Sequence, residues 1–281
     1  MMKYLSNSTL LVFLVFTLVG CTTTSDLSKH IMAENIAASA GFSKKFVQGG
    51  KFLFTTFQKN LTAHKPFAIY IEGDGQIVKG GVISTDPTPR IPMLLTLITL
   101  DKRENLVYLA RPCQHTPMEL NPNCHKEYWL DKRMSEDSIE SMNDAIQHIA
   151  GNNPVDLVGF SGGGGMAVLI AARNNHVRSI ITISGNLDIV GFTLFHRTRP
   201  MNGSLNPLDY AKQINNIPQL HLSGGKDTIV PSLIAENYIK ASGDTKCIQH
   251  KIIPNNTHIK GWDKVWESIL EINVKCNNFQ N

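Results

Sequence analysis

DLVGFSGGGG, residues 156–165, sets one serine between a short apolar run and four consecutive glycines. A glycine inside a helix costs about 1 kcal/mol relative to alanine, so four of them where a helix should begin need a reason other than local stability. Residues 155–160 read as a buried strand, and the apolar run Met166, Ala167, Val168, Leu169, Ile170 reads as a helix directly after it. Between them Gly159, Ser161 and Gly163 fit the pattern G-x-S-x-G. By composition alone three small residues at about 7% usage each make a weak signal. The strand-turn-helix context strengthens it, because a sharp turn there lifts the serine Oγ to the top of a sheet while glycines let strand and helix approach closely. Ser161 is therefore the candidate nucleophile, weighed against a plain glycine-rich turn or an anion nest at a helix start.

Working outward, apolar runs of strand length occur at 52–57, 67–71, 106–110, 155–160, 179–184, 219–222 and 247–253. Helical patterns lie at 29–40, 91–101, 135–150, 166–174, 231–241 and 261–274. Ile180, Ile181 and Ile183 are apolar on both faces of their strand, as expected when helices cover both sides of a parallel sheet. The alternation predicts an α/β fold with a mostly parallel central sheet, helices on both faces, and functional loops at the carboxyl ends of the strands.

A serine nucleophile needs a base, and the base needs an orienting carboxylate. Asp227, in the stretch SGGKDTIVP (223–231), and His258, in PNNTH (254–258), both fall on loops after later strands. Asp188 is the reserve acid, and His250, within a strand, is the weaker base. An oxyanion hole needs backbone N–H groups aimed at the developing charge. Gly162, the residue after the serine, offers one; Asp74, in the Glu72-Gly73-Asp74-Gly75 loop after the strand at 67–71, offers the second, with Gly75 as the alternative. A metal site at Glu72 and Asp74 lacks further ligands, so none is expected.

Together these pieces resemble the α/β-hydrolase superfamily over essentially all of the chain beyond residue 28. They are Ser161 in G-x-S-x-G, Asp227 in a G-x-D-x-x-V-P-like loop, His258 after the last strand, and residues 72–75 where many members carry a His-Gly pair. IEGDG (71–75), ARPCQ (110–114) and GFSGGG (159–164) also resemble a group of exported hydrolases. The resemblance implies an α/β-hydrolase fold, no cofactor, and acyl transfer. His258 takes the Ser161 proton, Asp227 holds the imidazole, Gly162 and Asp74 receive the oxyanion, and water resolves the acyl-enzyme. A carboxylesterase acting on a small-molecule or lipid ester is the first expectation; lipases, thioesterases, acyltransferases and peptidases use the same triad. A catalytically silent lipoprotein that binds a ligand or partner is the alternative from another class. The segment from Ser184 to Tyr210, with Phe192, Leu194, Phe195, Arg197 and Arg199, is too short for a full helical cap and reads as loop packing rather than a lid.

The N-terminus carries Lys3 and then an apolar run at 10–19, the length of a signal-peptide core and too short to span a bilayer. Leu18-Val19-Gly20-Cys21 resembles the lipobox of bacterial lipoproteins. That implies a signal peptide at 1–20, a lipidated Cys21 opening a tether at 21–28, a hydrolase domain at 29–281, and an exported protein anchored to a membrane, at the periplasmic side of the outer membrane if the cell is Gram-negative. Two or more acyl chains give stable anchoring. The formal net charge of +4, with Lys and Arg scattered, predicts no nucleic-acid partner. Of the five cysteines, the four beyond Cys21 can pair in an oxidising compartment. Cys113 with Cys124 closes a short loop rich in proline and asparagine, leaving Cys247 with Cys276. A zinc site from Cys113, His115, Cys124 and His125 has C-x-H and C-H spacings unlike those of zinc sites.

Overall fold

The computed structural model describes residues 23–274 and Cys276, so the signal peptide expected at 1–20 and Cys21 lie outside the described residues. In chain order the elements are α1 (Thr23–Ser39), β1 (Ser43–Gly49), β2 (Phe52–Lys59), β3 (Phe67–Ile71), a small hairpin of β4 (Val78–Lys79) and β5 (Val82–Ile83), α2 (Met93–Ile98), β6 (Asn105–Leu109), α3 (Glu136–Ala150), β7 (Val155–Phe160), α4 (Gly162–Ala171), β8 (Val177–Ile183), α5 (Ile189–Phe195), β9 (Gln219–Gly224), α6 (Ser232–Ser242), β10 (Ile248–Ile253) and α7 (Trp266–Leu270). The main sheet runs β1-β2-β6-β3-β7-β8-β9-β10. Only the β1/β2 and β2/β6 pairs are antiparallel. The remaining five pairs, from β6/β3 through β9/β10, are parallel.

Strand β3 shows why the sheet is two-sided. All five of its residues are buried, and they alternate between two cores. Phe67, Ile69 and Ile71 join Val107, Leu157, Ile146 of α3, Leu169 of α4 and Ile234 of α6. Ala68 and Tyr70 join Tyr108, Val158, Ala37 of α1, Leu94 of α2 and Trp266 of α7. Chain order leaves β3 toward β6 on one side and resumes at β7 on the other, so the strand order reverses between β3 and β7. In an open α/β sheet the crevice at such a reversal, at the carboxyl ends, is where sites form.

The expected architecture is present, with local differences. β1 was not expected, because its SKKFVQG sequence pairs on one side only, is largely exposed and so carries no apolar alternation. The stretch expected as a polar tether is helical from Thr23 onward. The C-terminal helix shortens from 261–274 to Trp266–Leu270, and the helix expected at 91–101 to Met93–Ile98. Cys113–Cys124 and Cys247–Cys276 are joined as disulfides. The first pair removes two of the four candidate zinc ligands, and no group of three or more His, Cys, Asp or Glu side chains placed to hold a metal ion occurs among the described residues.

Candidate active site

β7 ends at Phe160, and Ser161 stands as the N-cap of α4 with φ 52° and ψ −120°. A non-glycine residue with positive φ is held there only by surrounding structure, at about 1–3 kcal/mol. The surrounding bonds are visible: Ser161 N–H donates to Ile183 O at 2.9 Å, and its carbonyl accepts from Gly164 N at 3.0 Å and Asn186 N at 2.8 Å. The four glycines now have a reason. A Cβ on Gly163 would strike the carbonyls of Ile71 and Glu72, and one on Gly162 would strike the Asp74 carboxylate and the Arg111 guanidinium. Gly164 and Gly165 pass equally close to Gly185 and Asn186. The run lets the first turn of α4 lie against β3 and the loop after β8, and that packing offsets its poor helix propensity.

The sheet brings the three distant residues together. His258 Nε2 lies 3.1 Å from Ser161 Oγ, and His258 Nδ1 lies 2.8 Å from Asp227 Oδ2. The other Asp227 oxygen accepts from Ile229 N at 2.8 Å and Val230 N at 2.9 Å. Burial raises the Asp227 carboxyl, but the hydrogen bond and charge of His258, together with the Val230 N–H, outweigh it and hold it below the usual carboxylate range. Phe160 packs its ring against that of His258, with centroids 4.8 Å apart. Serine, histidine and aspartate are all buried, with the serine 7% exposed. Geometrically the site can pass a proton from the hydroxyl to the imidazole while the carboxylate fixes the ring.

The two reserve residues are placed elsewhere. Asp188 caps α5, accepting from Gly191 N and from Asn237 Nδ2, each at 2.9 Å. His250 bonds Ser223 Oγ at 2.9 Å, away from Ser161.

Glu72 to Gly75 follow β3 and lie over the serine, where a Cβ on Gly73 would sit 3.3 Å from the Ser161 Cβ. Neither Gly162 N–H nor Asp74 N–H has a hydrogen-bond partner among the described residues. Gly75, at φ +72°, turns the loop against the carbonyl of Pro87. The Asp74 carboxylate is clamped between two guanidiniums: Arg111 Nη1 on one oxygen and Arg133 Nη1 at 2.9 Å on the other. Burial pushes the Asp74 carboxyl up, yet the charges of Arg133 and Arg111 hold it far below the usual range, so it stays ionised. This pairing fixes the backbone carrying the Asp74 N–H.

Glu72 was grouped with the loop, but its own task was not read from the sequence. It is fully buried, and one oxygen accepts from Gly73 N at 3.0 Å. The other accepts from Leu94 N at 3.1 Å in the first turn of α2 and from Tyr108 OH at 3.4 Å. Burial raises it to about 7, against the pull of those donors and of Arg111. It ties the loop to α2; an acidic residue directly after an apolar strand is the signal that points to it.

Among solved structures, a lipase candidate (lip1) from Acinetobacter baumannii AYE aligns with TM-score 0.61 at 13% identity, over 89% of this chain and 97% of its own. Pyrococcus furiosus esterase Pf2001 aligns with TM-score 0.57 at 12% identity, over 83% of this chain and 90% of its own. Est1E from Butyrivibrio proteoclasticus aligns with TM-score 0.56 at 13% identity, over 81% and 96%. At such identities the likeness carries the α/β-hydrolase fold. No curated protein matches the chain in sequence. A family model, described as serine hydrolase (FSH1), matches residues 101–260, a span holding Ser161, Asp227 and His258. With more than half of its length so matched, the chain belongs to the FSH1 serine hydrolase family.

Proposed function

We propose that the protein hydrolyses carboxylic esters through a Ser161-His258-Asp227 triad and an acyl-enzyme intermediate, as a carboxylesterase held at a membrane by an acylated Cys21. The observation that carries the reading is His258 bridging Ser161 Oγ at 3.1 Å and Asp227 Oδ2 at 2.8 Å. His258 Nε2 takes the hydroxyl proton as Oγ bonds to the ester carbonyl carbon. Gly162 and Asp74 N–H groups, unpartnered and beside the helix start, receive the negative oxygen, where each donor supplies about 3–4 kcal/mol in the transition state. The imidazolium then protonates the departing alkoxide, and water attacks the acyl-enzyme by the same relay. Asp227 remains ionised and keeps Nδ1–H oriented. The neighbours named as esterases support an ester substrate, and the lipobox-like Leu18 to Cys21 supports the anchor.

The test is labelling with a fluorophosphonate probe, comparing the native sequence with Ser161→Ala, followed by a panel of chromogenic esters of increasing acyl length. Labelling of the native chain alone, with ester turnover, bears the reading out. A folded protein that never labels overturns it in favour of a ligand-binding lipoprotein. Mass spectrometry of the mature N-terminus tests the anchor: a diacylglycerol thioether on Cys21 is expected, and a bare cysteine rules it out.

A further inference from the structure

The exposed side chains around the triad are unlike those of an ordinary soluble rim. Four connections leaving the carboxyl ends of β3, β8, β9 and β10 border the site. They place Val82 and Ile83 on the hairpin beyond the oxyanion loop, Leu194 and Phe195 on α5, Ile229 two residues after Asp227, and Ile259 next to His258 in solvent. Leu194 is 73% exposed and Val82 69%. His196, at the end of α5, bonds Ile229 O at 2.7 Å, so α5 and the Asp227 loop form one surface.

Charge on four segments of this rim has one sign. In residues 73–91, 185–200, 225–231 and 254–261 every exposed charged side chain is cationic: Lys79, Arg90, Arg197, Arg199, Lys226 and Lys260. The acids on the same segments are turned inward. Asp74 is held by Arg111 and Arg133, Asp86 by Lys29 and His30, Asp188 caps α5, and Asp227 holds His258. The β6 connection, residues 110–135, mixes signs, with Glu119 and Asp131 exposed, and farther along the connections after β8 and β10 Asp209 and Asp263 are exposed as well.

The chain also enters at this edge. β1 is antiparallel to β2, and β2 to β6, so β1 points the same way as the parallel strands. α1 ends at Ser39, just before the start of β1 at Ser43, which sets its C-terminus at the amino edge and its N-terminus, Thr23, at the carboxyl edge. Lys29 and His30 confirm the placement by binding Asp86 in the connection after β3. Twenty-two residues precede Thr23, including the apolar run and Cys21.

We propose that this rim is the face that docks on an anionic lipid bilayer, with the acyl anchor entering at the same edge, so that the serine is turned toward esters presented at the membrane surface. The proposal rests on the acylated-Cys21 and serine-hydrolase readings above for anchor and chemistry. Apolar side chains ringed by Lys and Arg are what binding at an acidic interface requires. A docking surface of this kind also explains a catalytic rim that leaves large apolar side chains in water.

The experiment uses the full acylated chain reconstituted into vesicles of phosphatidylglycerol with brominated phosphatidylcholine as quencher. The native tryptophans, Trp129, Trp262 and Trp266, are buried, so an introduced surface tryptophan reports its own surroundings. Leu194→Trp is expected to be quenched, and Lys102→Trp, 86% exposed just before β6 at the amino edge, is not. Quenching is expected to weaken in purely zwitterionic vesicles. The pair Val82→Asp with Leu194→Asp is expected to lower hydrolysis of a long-chain nitrophenyl ester embedded in the vesicles about tenfold, leaving kcat/KM for soluble nitrophenyl butyrate within about twofold. Equal quenching at positions 194 and 102, none at 194, indifference to lipid charge, or equal loss on both esters would each overturn the proposal. Failure to hydrolyse any ester overturns the hydrolase reading instead, while the quenching, independent of activity, still decides the docking.

Discussion

The two edges of the sheet carry similar residues arranged to opposite ends. At the amino edge Asp156 accepts from Arg178 Nε at 2.9 Å, Arg103 Nη1 at 3.2 Å and Ser179 Oγ at 2.7 Å. Asp101 accepts from Arg103 Nε and from Tyr70 OH, the latter at 2.7 Å. Two acids meet two arginines, and a cavity of about 680 Å³ opens beside them. No residue bordering that cavity has positive φ, and the serine present is bonded to a carboxylate rather than to a base. At the carboxyl edge a serine is held at positive φ, a histidine joins it to an acid, and two backbone N–H groups stay unpartnered. Ion pairs that satisfy one another hold a fold together. Chemistry needs strain and donors left open for a group that is not yet there. The size of a hollow does not distinguish the two; the state of its polar atoms does.

Substitutions at both edges can break or sharpen this contrast. The largest effect belongs to Ser161→Ala: kcat falls by about 10⁴-fold or more while the melting temperature changes little, and ester turnover with a purified, melted sample checks both. Asp227→Asn follows, with a loss of about 10³–10⁴-fold as the imidazole loses its orienting charge, read from kcat at saturating ester. Gly162→Ala drives a methyl into the Asp74–Arg111 pair and disturbs the two N–H groups proposed to receive the oxyanion, so kcat is expected to drop by about 10²-fold with KM nearly constant.

Glu72→Gln is expected to act more mildly, and through pH. Glu72 holds its proton up to about 7 in the folded chain against 4.5 ordinarily. Its contribution to stability is therefore complete below pH 4.5 and is lost as pH rises through about 7. Chemical denaturation across that window should show the native protein losing stability relative to the glutamine variant, whose curve is flatter. The smallest effect on turnover belongs to the amino edge. Asp156→Asn lowers stability by about 2 kcal/mol, because Arg178 is half exposed and can rehydrate, with kcat/KM held within about twofold. A tenfold fall in kcat/KM there would erase the distinction between the edges.

Much of this was legible before any coordinates. The strand, turn and helix around Ser161 come from hydrophobic period and glycine placement, which act over a few residues. The same short-range rules explain the misses. β1 lacks an apolar stripe because its side chains are largely exposed, and α5, announced by Asp188 as its cap, was hidden in a stretch rich in aromatic and basic residues.

By itself the sequence determined the alternation of strands and helices, the turn that carries Ser161, and a short set of partners for it, because sterics and side-chain periodicity are local. Tertiary structure alone put His258 and Asp227, rather than His250 and Asp188, within hydrogen-bonding reach of Ser161 and of each other, gave Glu72 and Asp74 their partners, and gathered the apolar, cationic side chains onto one rim. Those outcomes depend on which strand lies beside which, and strand order is settled by packing between segments far apart along the chain.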